Sequence, residues 1–124
     1  MAEGHARLER LAVEVPDLDA WTDAFESLLG PGYRRSTVSG AGGEIDFALH
    51  PGGVELVSTP GQGPRLRSFH LRVPDLDAAV AQAGRLGWRE GDRFVIDGRT
   101  QVVVDAGGLR LILLAPRPEG GDGT

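Results

Sequence analysis

The six residues Val-Pro-Asp-Leu-Asp-Ala occur twice in this chain, at 15–20 and at 73–78, 58 positions apart. In 124 residues, that spacing leaves room for two copies of one small module and little else. Each copy carries the same local instructions. Ahead of the first, Leu11, Val13 and Val15 alternate with Arg10, Ala12 and Glu14, which predicts a half-buried strand over 8–15. Pro16 stops that strand, and Asp17 offers a side-chain acceptor to the free N–H groups at the start of a helix. Leu18, Trp21, Phe25, Leu28 and Leu29 then recur at helical spacing until Gly30-Pro31 ends the element. Strand-like runs follow over about 33–38, 44–50 and 53–58, separated by the glycine-rich turns SGAGG and PGG.

The second copy repeats the plan. RSFHLRV reads as a strand, Asp75 as a cap, and Leu76, Ala79, Val80, Ala83 and Leu86 as a helical stripe closed by Gly87. Strand-like runs near 93–96, 99–105 and 109–114 complete it. The expected fold is α+β: two βαβββ modules, 8–60 and 65–116, joined through STPGQGPR and forming one curved, cup-like mixed sheet. Residues 1–7 and 117–124 are expected to be tails, the second disordered on its Gly-rich composition. Leu11, Val13, Val15, Phe69, Leu71 and Val73 should face the helices. The faces carrying Arg10, Ala12, Glu14 and Ser68, His70, Arg72 have no helix to cover them and should line the cup.

Composition narrows the function classes. A hydrophobic content of 40% and a charged content of 25% are globular values. The net charge of −5 disfavours nucleic acid, whose partners present clustered positive charge, and is compatible with a cationic ligand. With no cysteine there is no disulfide, thiolate metal site or cysteine nucleophile. All 13 basic residues are arginine, so Schiff-base chemistry through a lysine is excluded. MAEGHARLER lacks the apolar core of a signal peptide and no apolar run is long enough for a membrane span, so a cytoplasmic protein is expected.

On the paired VPDLDA stretches, the helix-closing LLG and RLG, and the late strands GGVELV and DAGGLRLILL, the chain resembles the vicinal oxygen chelate superfamily over residues 8–116. That superfamily includes glyoxalases, bleomycin-resistance proteins, epimerases and extradiol dioxygenases. The resemblance implies a divalent metal held by one ligand from the first and one from the last strand of each module. The positions are 10 and 68, where histidine is usual, and 55 and 112, where glutamate is usual. Here they carry Arg10, Ser68, Glu55 and Ile112, a set that lacks the donors such a cation needs. No cofactor is therefore expected, and Arg10 is expected to pair with Glu55. A displaced metal site built from Glu55, His70 and Glu14 is the weaker alternative.

The resemblance, read with this donor set, implies a homodimeric small-molecule-binding protein of the bleomycin-resistance kind, from a bacterium that makes or meets antibiotics. Such a protein would sequester a hydrophobic natural product without catalysis. The alternative is an enzyme, a lyase, isomerase, epimerase or dioxygenase-like protein, in which Glu55 or His70 moves a proton, with or without a metal. The candidate ligand-binding residues are Arg10, Glu14, Phe47, Glu55, His70, Arg72, Trp88, Phe94 and Ile112. Tyr33 is a further candidate pocket wall, whereas Trp21, Phe25 and Phe69 sit at core spacing. Glu14 and Arg72 occupy equivalent places in the two modules, and solvent exposure at a rim is the simpler expectation for both.

Overall fold

The computed structural model describes residues 5–40 and 42–117; residues 1–4, 41 and 118–124, and with them most of the two expected tails, lie outside it. The element order is β1 (Arg7–Val15), α1 (Leu18–Leu29), β2 (Arg34–Gly40), β3 (Gly43–Leu49), β4 (Val54–Ser58), β5 (Arg65–Arg72), α2 (Leu76–Arg85), β6 (Arg89–Ile96), β7 (Arg99–Ala106) and β8 (Leu109–Leu114). This is βαβββ twice, as the repeat predicts. By contacts the chain divides into two compact units, residues 10–67 and residues 68–117 together with 5–9.

In the first unit the strand order is β2-β3-β4-β1, with β1 parallel to β4 and the other neighbours antiparallel. Asp17 caps α1 as expected, its Oδ1 accepting from Ala20 N–H at 3.1 Å. The helix lies on the sheet face that carries Val13, Val15, Ala48, Val54 and Leu56. Trp21 and Phe25 pack there, but Leu28 does not: it is 81% exposed. On a 100° helical wheel Leu28 lies about 80° from Leu18, at the border of the apolar face, and Thr22 takes the inward place. Thr22 is buried, its hydroxyl donating to Asp19 O and accepting from Arg35.

The second unit repeats the arrangement with order β5-β8-β7-β6 and β5 parallel to β8. Asp75 caps α2 through Ala78 N–H at 3.1 Å. The helix-side core is Val73, Ala83, Val102, Val104, Leu111 and Leu113, with Phe69, Leu71, Leu76, Ala79 and Val80 against it. The β6/β7 hairpin turns on Asp97-Gly98, both at positive φ (54° and 77°), the Asp-Gly pairing that a tight right-twisted hairpin favours. Strand β6 starts four residues before the apolar signal at 93. Its first half, REGD, is exposed and carries a register shift between Glu90 and Arg93, so nothing apolar marks it in the sequence. Among the described residues no helix is long and apolar enough to cross a membrane.

Candidate functional site

Each sheet has one face under its helix and one face without a helix, and strand alternation assigns every candidate residue to a face. On the uncovered face of the first sheet, Ala12 pairs with Glu55, and Glu14 pairs with Val57, which pairs with Phe47, which pairs with Ser36. The same face of the second sheet carries two rows. His70, Ile112 and Val103 form one; Arg72, Leu114, Gln101 and Phe94 form the other. The faces predicted from period-two alternation are the faces observed.

The expected Arg10–Glu55 pair is present. Arg10 lies two residues before Ala12, so its side chain reaches Glu55 diagonally, with Nε donating to Oε1 at 2.8 Å. Both side chains are largely buried, at 20% and 13% exposure. The metal that the resemblance implies does not fit this donor set. Arginine, serine and isoleucine offer no lone-pair donor of the required kind, and the single carboxylate is already engaged by a guanidinium. Among the described residues no group of three or more His, Asp or Glu side chains could hold a metal ion. The displaced alternative fares no better, because Glu14 is also engaged.

Glu14 does not face solvent at a rim. Its side chain is 7% exposed and clamped by two arginines from β5. Arg65 Nε donates to Oε1 and Arg67 Nη1 to Oε2, each at 2.7 Å. Burial pushes the carboxyl up, but the two hydrogen bonds and the two positive charges outweigh it and hold the group below its ordinary value. The charge of this carboxylate is thus met by two guanidinium groups within its own unit.

His70 is buried and beside Ile112, on the face the sequence assigned to it. Phe47 and Phe94 are half-buried on uncovered faces, Phe94 next to Gln101. Trp88 stands outside both rows, at the junction of α2 and β6, where its N–H bonds Ala83 O; it is 37% exposed. Tyr33 is not a pocket wall. It packs with the helix-side core and its hydroxyl donates to Val54 O at 2.9 Å. His50 is structural too. Gly52 N–H donates to its Nδ1 at 2.8 Å, which leaves Nε2–H to donate to Gly30 O at 2.9 Å.

Two features escaped the sequence reading. Gln101 is buried on the uncovered face of the second sheet, where only the alternation of TQVVVDA marks it. Arg99 forms a two-pronged pair with Glu9 at 2.8 and 3.0 Å and also donates twice to Ala115 O, a closure over 90 residues that no local pattern announces.

Neither a family model nor a curated protein matches the chain in sequence. Solved structures do match it in fold. It is similar to methylmalonyl-CoA epimerase from Mycobacterium tuberculosis, with a TM-score of 0.71 and 20% identity over 93% of this chain and 91% of that one. It is also similar to glyoxalase I from Zea mays, with a TM-score of 0.60 and 21% identity over 86% of this chain. A trihydroxybiphenyl dioxygenase from Sphingomonas wittichii gives a TM-score of 0.60 and 22% identity over 88%. The chain spans 42% of the length of each of the last two proteins. Two βαβββ units, with a parallel pair at β1/β4 and another at β5/β8, thus give the protein the fold of the vicinal oxygen chelate superfamily.

Proposed function

We propose that this protein binds a small, largely apolar molecule without a catalytic metal, in the manner of a sequestering protein of the glyoxalase/bleomycin-resistance type. One observation carries the reading: the guanidinium of Arg10 sits 2.8 Å from the one carboxylate at the four metal positions. The pair replaces a cation with a fixed positive charge that offers no open coordination position and no Lewis acidity. The uncovered face of the first unit carries the apolar side chains Val57 and Phe47, and that of the second carries Ile112, Leu114 and Phe94. Apolar walls with a few fixed polar groups are what a binding site for a hydrophobic natural product needs. An antibiotic is the class of ligand this reading favours.

The enzymatic alternative is favoured by one observation of its own. His70 is buried on an uncovered face, where an imidazole can hold or move a proton. In that case Glu55, paired with Arg10, positions substrate, and His70 is the proton carrier.

Elemental analysis together with thermal-shift screening separates these readings. Purified protein washed with chelator should unfold at its original temperature and should gain stability with hydrophobic natural products. At a hundredfold excess over Kd the gain is about 2.7 kcal/mol. Stoichiometric zinc, manganese or iron that disappears in Glu55→Gln would overturn the metal-free reading. Turnover of acyl thioesters or hemithioacetals that disappears in His70→Gln would favour the enzyme.

A further inference from the structure

We propose that the protein self-associates through strand β6, which pairs antiparallel with the β6 of a second copy about a two-fold axis at Val95. The inference is independent of what the molecule binds. In the second unit the strand order is β5-β8-β7-β6, so β6 has β7 on one side and, among the described residues, no strand on the other. The two-residue turn Asp97-Gly98 makes Ile96 and Arg99 the closing hydrogen-bonded pair of the hairpin. Hydrogen bonding alternates along an antiparallel pair, so Val95 turns its N–H and C=O outward, away from β7.

A strand edge of this kind recruits another strand unless a bulge, a lysine or a proline blunts it. The first half of β6 has such a device, the register shift between Glu90 and Arg93. The second half has none. From Arg93 to Ile96 the register with β7 is unbroken, the run contains no lysine or proline, and it leaves Val95 64% and Ile96 37% exposed.

Charge decides what this edge pairs with. Residues 93–97 are RFVID, one base, three apolar residues and one acid, a pattern that complements itself when reversed. With Val95 opposite the partner's Val95, Phe94 meets the partner's Ile96 and Arg93 meets the partner's Asp97, and two-fold symmetry repeats both contacts. Neighbouring registers are poorer. Centring on Arg93 sets arginine against arginine, and centring on Phe94 sets Arg93 against the partner's Val95. Arg93 is available for the contact: it is 45% exposed, and its ion pairs with Asp77 and Glu90 are long, at 3.8 and 3.7 Å. The outer strand of the first unit, β2, offers no such match, because RRSTVSG carries two arginines and no acid. A five-residue contact is small, which places the dimer in the weak, concentration-dependent class.

Sedimentation velocity of the full chain between about 1 and 100 µM should show one chain giving way to two, less so as salt rises. Val95→Lys sets two ammonium groups face to face and Val95→Glu two carboxylates, so each variant alone should stay monomeric where the wild type dimerises. An equimolar mixture of the two should recover the dimer, because lysine then faces glutamate. Both variants should keep the wild-type unfolding temperature at low concentration, since the side chain at 95 is exposed. Asp97→Asn, which suits the left-handed turn but lacks the charge, should weaken the dimer severalfold. A wild type that stays monomeric at about 100 µM would overturn the proposal. So would a dimer that persists in Val95→Lys, which places the interface elsewhere, or a mixture that stays monomeric, which means that residue 95 does not face itself.

Discussion

Replacing Glu14 by glutamine should destabilise the protein by about 2 kcal/mol at pH 7. Both carboxylate oxygens accept a charge-assisted hydrogen bond at 2.7 Å. In a dry setting each such bond is worth about 1.5–3 kcal/mol. The setting is only partly dry. Glu14 is 7% exposed, but Arg67 is 33% and Arg65 67% exposed, so the Arg65 bond is screened toward the surface value of under about 1 kcal/mol. Arg67 then supplies about 1.5 kcal/mol, giving about 2 kcal/mol together. Glutamine keeps the volume but turns an N–H₂ toward a guanidinium, donor against donor. For a chain of 124 residues the expected drop in unfolding temperature is roughly 8 °C. The pH dependence follows from the direction of the shift. The folded carboxyl titrates below its ordinary value of 4.5, so the unfolded chain binds the extra proton first as pH falls. The contribution is therefore complete above that value and disappears as pH drops through the folded one. Urea unfolding of wild type and Glu14→Gln at pH 7 and about pH 3.5 reads both effects. A difference below about 0.5 kcal/mol at neutral pH, the usual scatter of surface substitutions, would refute the clamp. So would a difference that acid does not shrink.

Two further outcomes rest on other parts of the fold. Arg99→Met should cost about 2 kcal/mol in urea unfolding, because it removes both prongs of the pair with Glu9, which is 10% exposed and keeps Arg117 at 3.8 Å; Arg99→Lys should cost about half as much, restoring charge but not the fork. Tyr33, the only tyrosine, has its phenol pushed up to about 12 by burial and then by the negative charge of Glu26. A phenolate absorbance titration should therefore show a midpoint about two units above free tyrosine. The associated stability is complete below pH 10.0 and lost as pH rises through about 12.

The fold was legible because its signals are local. A strand, a proline, an aspartate cap and a helix stripe each act within four residues, and the repetition of the set at 15–20 and 73–78 turned weak signals into a strong one. Alternation then placed Arg10, Ala12, Glu14, Ser68, His70 and Arg72 on the correct faces. What stayed hidden was long-range partnership. Nothing near Glu14 announces arginines 51 and 53 residues away, and nothing near Arg99 announces Glu9. The exposed Leu28 shows the converse failure. Its spacing puts it at the edge of the apolar face, and tertiary packing decides which edge residues are covered.

The two copies of the module have diverged at corresponding positions. Position 14 in the first copy corresponds to position 72 in the second. The first carries an acid whose charge is fully met inside its own unit, by Arg65 and Arg67; on the same face Arg10 meets Glu55. The Glu14 clamp ties β1 to Arg65 and Arg67, and Arg10 ties β1 to β4. The second carries Arg72, half-buried, in a row with Leu114 and the buried Gln101. The charge at position 14 thus holds the first unit together, whereas the charge at position 72 enters no ion pair among the described residues.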